Sequence, residues 1–117
     1  LHAGLRLYST FLFLNTRQPP FTSVLARQAV NYAIDRDRIK QISHEGLSQA
    51  SVTCQILPAG FPGHQPHCPY TANPGDGFWH GPDLAKARLL AQQSGTTNVP
   101  VTVWDGFPLV AWTHRLK

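Results

Sequence analysis

The sequence predicts an α/β fold, with helices packed on a sheet, in the order strand, helix, long loop, helix, strand and the start of a further helix. Three observations predict it. The continuous apolar run Phe11–Leu14 is the length of a strand buried on both faces. Two runs with helical apolar spacing each follow residues suited to start a helix. Pro100–Trp104 then alternates, with Val101 and Val103 on one face. Strands interleaved with helices argue for an α/β layer.

Each element has its own local reason. Leu5 and Leu7 alternate with Arg6 and Tyr8 and extend the first strand towards Phe11–Leu14. Pro19 and Pro20 fix φ and withhold two donors, so Asn15–Phe21 is a turn that neither strand nor helix can cross. Thr22 or Ser23 supplies an N-cap oxygen for a helix from about Val24 to Ile34. Leu25, Ala26, Ala29, Val30, Ala33 and Ile34 form its apolar stripe, while Gln28, Asn31 and Asp35 fall largely outside it. Asp35 is placed to cap a short continuation through Ile42, and Gly46 to stop it.

Periodicity disappears between Ser48 and Gly81, a stretch rich in Pro, Gly and aromatic residues. A loop of this length in a compact domain is expected to be functional or pinned, and Phe61, Tyr70, Phe78 and Trp79 could bury against a neighbour to hold it. Helical order returns after Gly81. Pro82 suits a first helical position, and Asp83 complements the helix dipole. Leu84, Ala87, Leu90 and Ala91 form the stripe, and Gly95 is the C-terminal cap.

Composition bounds the class. At 117 residues the chain is one small domain, and with 42% hydrophobic residues it is not a disordered tail. No apolar run approaches the roughly 20 residues of a membrane helix. The formal charge of +4 and pI of about 9.5 would allow nucleic-acid or anionic-lipid binding. The basic residues are scattered, however, and the one local cluster, Arg36–Lys40, is interleaved with Asp35 and Asp37. A solvated helix face is the better reading. The chain contains no Met, opens without the pattern of a signal peptide and stops in an apolar run, "PLVAWTHRLK". It is expected to be an excised piece of a longer protein.

Cys54 and Cys68 lie 14 positions apart and bracket the Pro-rich loop. A disulfide between them would close a loop worth about 3 kcal/mol in the chain-entropy model, and would imply an exported protein. Zinc is the competing reading, because His64 and His67 lie between the cysteines and would complete a Cys2His2 set. The spacing fits it poorly, with no C-x2-C pair and His67 adjacent to Cys68. Two unrelated free thiols are the third possibility, and the disulfide is preferred.

No catalytic set is proposed by the residues. There is no G-x-S-x-G elbow, no H-E-x-x-H, no G-x-x-x-x-G-K-[ST] and no G-x-G-x-x-G. Asp35 and Asp37, two apart on a helix, point in different directions. His44, His80 and His114 are isolated in sequence. Trp79, Trp104 and Trp112, with Phe61 and Tyr70, are candidates to line a binding cleft, although each taken singly is more ordinarily a core or loop anchor. No metal or cofactor is expected.

The order "YSTFLFLNTRQPPFTSVLARQAVNYAIDRDRI" resembles the extracellular solute-binding proteins of the dipeptide/oligopeptide ABC transporter class, family 5. In that family a strand ending in Asn leads to a Pro-Phe turn, and a helix reading close to "vRqAvnyAiDR" follows at once. The matching positions are Asn15, Pro20, Phe21, Arg27, Gln28, Ala29, Tyr32, Ala33, Ile34, Asp35 and Arg36. "QILPAGFPGHQPHCPY", "GPDLAKARLLAQQSG" and "PVTVW" follow in the family's order, and the Cys-bracketed loop is similar to that of actinobacterial members. Leu25-Ala26 departs from the pattern, where the family more often has a polar residue and then Val.

The resemblance implies a two-lobed, periplasmic-binding-protein-like (type II) fold that closes on a ligand by hinge motion. Residues 1–117 would be the first half of the second lobe. The function implied is capture of peptides or related small solutes, without chemistry, for delivery to an ABC permease by an extracellular protein that is lipid-anchored in its full-length form. Ligand contacts are expected outside this piece, so none is assigned to a residue here. The alternatives are a piece of a secreted hydrolase, which a nucleophile elbow in flanking sequence would reveal, and a small basic nucleic-acid module, which salt-sensitive heparin retention would reveal. Exposed sheet edges would make self-association of the piece plausible.

Overall fold

The structure, a computed structural model, describes residues 11–43, 51–57 and 59–102. Those residues form three helices: α1 (Val24–Ala33), α2 (Arg36–Ser43) and α3 (Leu84–Gln93). They contain no strand, which overturns the expected α/β layer with helices on a sheet. The run Phe11–Leu14 pairs with no other described segment, and its side chains are not buried on both faces: Phe13 is 86% exposed. Pro100–Thr102 is likewise irregular, and Val103 and Trp104 lie outside the described residues. A run of β-formers becomes a strand only when a second backbone supplies the ladder, and no local pattern can supply it. Without a sheet among the described residues, self-association through sheet edges has no basis there.

The turn before α1 is built by specific groups. Asn15 accepts from the Arg17 amide through Oδ1 at 3.1 Å, and the Phe21 amide donates to the Gln18 carbonyl across Pro19-Pro20, whose peptide bond is cis. Arg27 reaches back from α1 and donates through Nη1 to the carbonyls of Phe21 at 2.6 Å and Thr22 at 3.1 Å. The turn is thereby tied to the helix that follows it. Of the two candidate N-caps it is Ser23 that acts, its side chain accepting from the Ala26 amide at 3.4 Å.

Extended backbone at Ile34 ends α1, and Asp35 restarts the chain as the α2 cap, accepting from the Arg38 amide at 2.9 Å. That restart agrees with the sequence, while the expected stop at Gly46 lies outside the described residues. In α3 the cap is Asp83, which accepts from the Lys86 amide at 2.9 Å, so Pro82 precedes the cap and is not the first helical residue. At the far end Gly95 follows Ser94 with φ +67°, the left-handed value that suits glycine.

α1 packs on α3. The contact is made by small residues, with Ala26, Ala29 and Ala87 buried, so the two backbones approach closely. Tyr32 completes it. Its carbonyl accepts from the Asp83 amide at 3.0 Å, and Lys86 lies over its ring with Nζ 4.5 Å from the centroid. Tyr32 is buried although the predicted stripe omits it, whereas Ala33 within that stripe is exposed.

Candidate functional site

The segment from Ser51 to Gly81 carries no regular secondary structure among its described residues, yet it is held at several points. Cys54 and Cys68 are joined in a disulfide, and Cys68 is buried. With both sulfurs in that bond, the thiolates of a Cys2His2 zinc set are not available. Among the described residues no group of three His, Cys, Asp or Glu side chains comes together. Two helices hold the flanks of the bridge. Arg36 donates through Nη1 to the Thr53 carbonyl at 3.1 Å, next to Cys54, and the Tyr32 hydroxyl lies 3.4 Å from the Pro69 carbonyl, next to Cys68.

The rest of the segment closes on itself. Thr71, only 1% exposed, donates to the Gly81 carbonyl at 3.1 Å and accepts from the His80 amide at 2.7 Å. A buried hydroxyl satisfied in both directions serves here as the polar core of a loop too short to have an apolar one. Asp76 accepts from the Phe78 amide at 2.9 Å and pairs with the His80 ring at 2.8 Å. These two partners, the Phe78 amide first, hold the Asp76 carboxyl below its ordinary pKa. His80 is therefore not isolated. The Gln55 side chain donates to the Gln65 carbonyl across the bridged loop.

The aromatic residues do not assemble into one cleft. Tyr70 meets Tyr32 edge to face at 5.2 Å. Trp79 donates through Nε1 to Asp37 at 3.1 Å, and the Arg36 guanidinium lies 5.3 Å from its ring centroid. Both are anchors of the loop on the helices. Phe61 and Phe78 are exposed, contrary to the expectation that they pin the loop. Trp104, Trp112, His44 and His114 lie outside the described residues.

Two clefts flank α1. One, about 280 Å³, runs along the α1–α3 contact and is lined by Ala29, Val30, Ala87, Val99 and Val101 among others, so it is chiefly apolar. The other, about 200 Å³, lies where α1 and the start of α2 meet Phe11–Leu14 and the Thr53–Ile56 part of the loop. Arg36, Asn31, Thr53 and Gln55 give this cleft polar walls, and Leu14, Val30 and Ile34 give it apolar ones.

Arg36 is the unusual group of the second cleft. It is half-buried, its Nε is enclosed without a hydrogen-bond partner, and burial pulls its pKa below the ordinary arginine value. The neighbouring carboxylates are turned to other donors, Asp35 to the Arg38 amide and Asp37 to Trp79. Sequence reading placed Arg36 in a solvated charged face. The contacts that bury it come from Thr53 and Trp79, far along the chain, and no local pattern announces them.

No curated protein and no solved structure matches the chain. A family model, that of the bacterial extracellular solute-binding proteins, family 5 Middle, matches residues 2–112. The match spans the Asn15–Phe21 turn, α1 with its Arg27 tether, the disulfide-bridged loop and α3, and on that ground the chain belongs to the extracellular solute-binding proteins of family 5.

Proposed function

We propose that residues 1–117 form the first half of the second lobe of a two-lobed solute-binding protein, which captures peptides or related small solutes outside the cell and hands them to an ABC permease. The observation that carries this reading is the family match over residues 2–112. Membership of the family places the chain in solute binding for transport. The peptide, the permease and a lipid anchor on the full-length protein belong to the proposal.

The structure is consistent with a supporting role for this piece. The tethered turn, the three capped helices and the disulfide-bridged loop are held by internal contacts. Capture in such a protein needs no chemical step, only enclosure between lobes and release at the permease. Calorimetry on the full-length gene product, titrated with short peptides, should give saturable binding with one peptide per protein. The 117-residue chain alone should give none. Failure of the full-length protein to bind any peptide would overturn the peptide assignment, and specific micromolar peptide binding by residues 1–117 would overturn the placement of the ligand contacts elsewhere.

A further inference from the structure

We infer that the cleft beside Arg36 is a binding site for a small aliphatic monocarboxylate. The inference stands apart from the transport reading and uses different observations. Among the described residues Arg36 makes one hydrogen bond, to the Thr53 carbonyl, its guanidinium lies over the Trp79 ring, and its enclosed Nε has no partner. Among the described residues no carboxylate forms an ion pair with it, since the one such pair there joins His80 and Asp76. A guanidinium offers five donors in a planar fork, and a half-buried cation without a counter-ion is costly. With the Nε edge enclosed, a carboxylate in the cleft would take its bonds from the Nη end of that fork and supply the missing charge.

The remaining walls select the class of anion. Asn31 and Gln55 offer neutral polar groups, and Leu14, Val30 and Ile34 line the rest with hydrocarbon. A volume of about 200 Å³ suits a short alkyl tail and not a polymer. No Asp or Glu lines the cleft, so the ammonium of a zwitterionic peptide would find no partner. A single arginine with apolar walls likewise favours a monoanion with a tail over inorganic phosphate.

The test is a nuclear magnetic resonance titration of the 117-residue chain with hexanoate, hexanol, hexylammonium and inorganic phosphate. Resonances followed are the Trp79 indole N–H, assigned through Trp79→Phe, and the Gln55 amide. Hexanoate should shift both saturably, with hexanol and hexylammonium at least about tenfold weaker, as loss of a charge-assisted pair implies. Arg36→Gln should remove the hexanoate response at Gln55, and Arg36→Lys should restore part of it. No saturable response to hexanoate, or equal affinity for hexanol, would overturn the site. Phosphate binding as tightly as hexanoate would overturn the class. The comparison of ligands on the unaltered chain decides the matter even if the Arg36 variants fail to fold.

Discussion

Gly77 stands with φ +83°, and a Cβ built on it would lie 2.6 Å from both the carbonyl carbon and the carbonyl oxygen of Pro66. Two separate costs therefore attach to any side chain here: the left-handed backbone and a clash with main chain that cannot rotate away. Gly60 separates them, because its φ of +93° imposes the first cost while nothing lies within 4 Å of its Cβ position. Gly60→Ala should destabilise the chain by about 1 kcal/mol and Gly77→Ala by about 3 kcal/mol in urea unfolding. Equal costs would show that Pro66 yields freely and that Gly77 is a turn residue only. Other single residues have roles as definite. Arg27 explains why the Asn15–Arg36 stretch is so particular: its two bonds to Phe21 and Thr22 fix a turn that then needs Asn15 and the two prolines. The specificity of that stretch is architectural.

At the scale of elements, the caps carry much of what defines the helices. Asp83 caps α3 through its carboxylate while its own amide bonds the Tyr32 carbonyl, so substitution of the side chain leaves the link between α1 and α3 in place. Asp83→Ala should cost about 1 kcal/mol and Asp83→Asn only a small part of that, because asparagine caps nearly as well. Thermal unfolding followed by circular dichroism measures both, and an Asn variant as damaged as the Ala variant would refute capping as the role of this residue. The helices were legible because cap, apolar spacing and stop lie within one turn of the residues they govern. The strands were misread for the converse reason: Phe11–Leu14 has strand composition, but a ladder is a property of two paired segments and composition does not show which segments pair. Tyr32 was missed because an aromatic beside an alanine stripe gives no sign that its hydroxyl and ring will meet Pro69 and Tyr70. The Arg36 cleft was invisible because it joins α1 and α2 to Phe11–Leu14 before the turn and to Thr53–Gln55 well beyond α2.

Across the whole molecule, the burial that holds the described residues together is modest. Ala26, Ala29 and Ala87 each remove little more than a methyl group from water, whereas Phe13, Val24, Ile56, Phe78 and Leu89 remain more than half exposed. With so thin a core among the described residues, a covalent link weighs heavily. Cys54 and Cys68 span 14 positions, for which loop closure in the unfolded chain is worth about 3 kcal/mol. The bridge also sits between two tethers, Arg36 to Thr53 and Tyr32 to Pro69, so it links the loop to the helices at both ends. Reduction should therefore lower the unfolding free energy by about 3 kcal/mol. It should loosen the bridged loop before the helix pair. Hydrogen exchange distinguishes the two, because the His64 amide bonds Phe61 inside the loop, while the Asp83 amide bonds Tyr32 between α1 and α3. Under reducing conditions the His64 amide should lose protection first and the Asp83 amide should follow the global unfolding curve. Coincident urea midpoints for the oxidised and reduced chains would show that Arg36 and Tyr32 hold the loop without the bridge. Equal loss of protection at both amides would show instead that loop and helices unfold as one unit, with the disulfide acting on the whole chain.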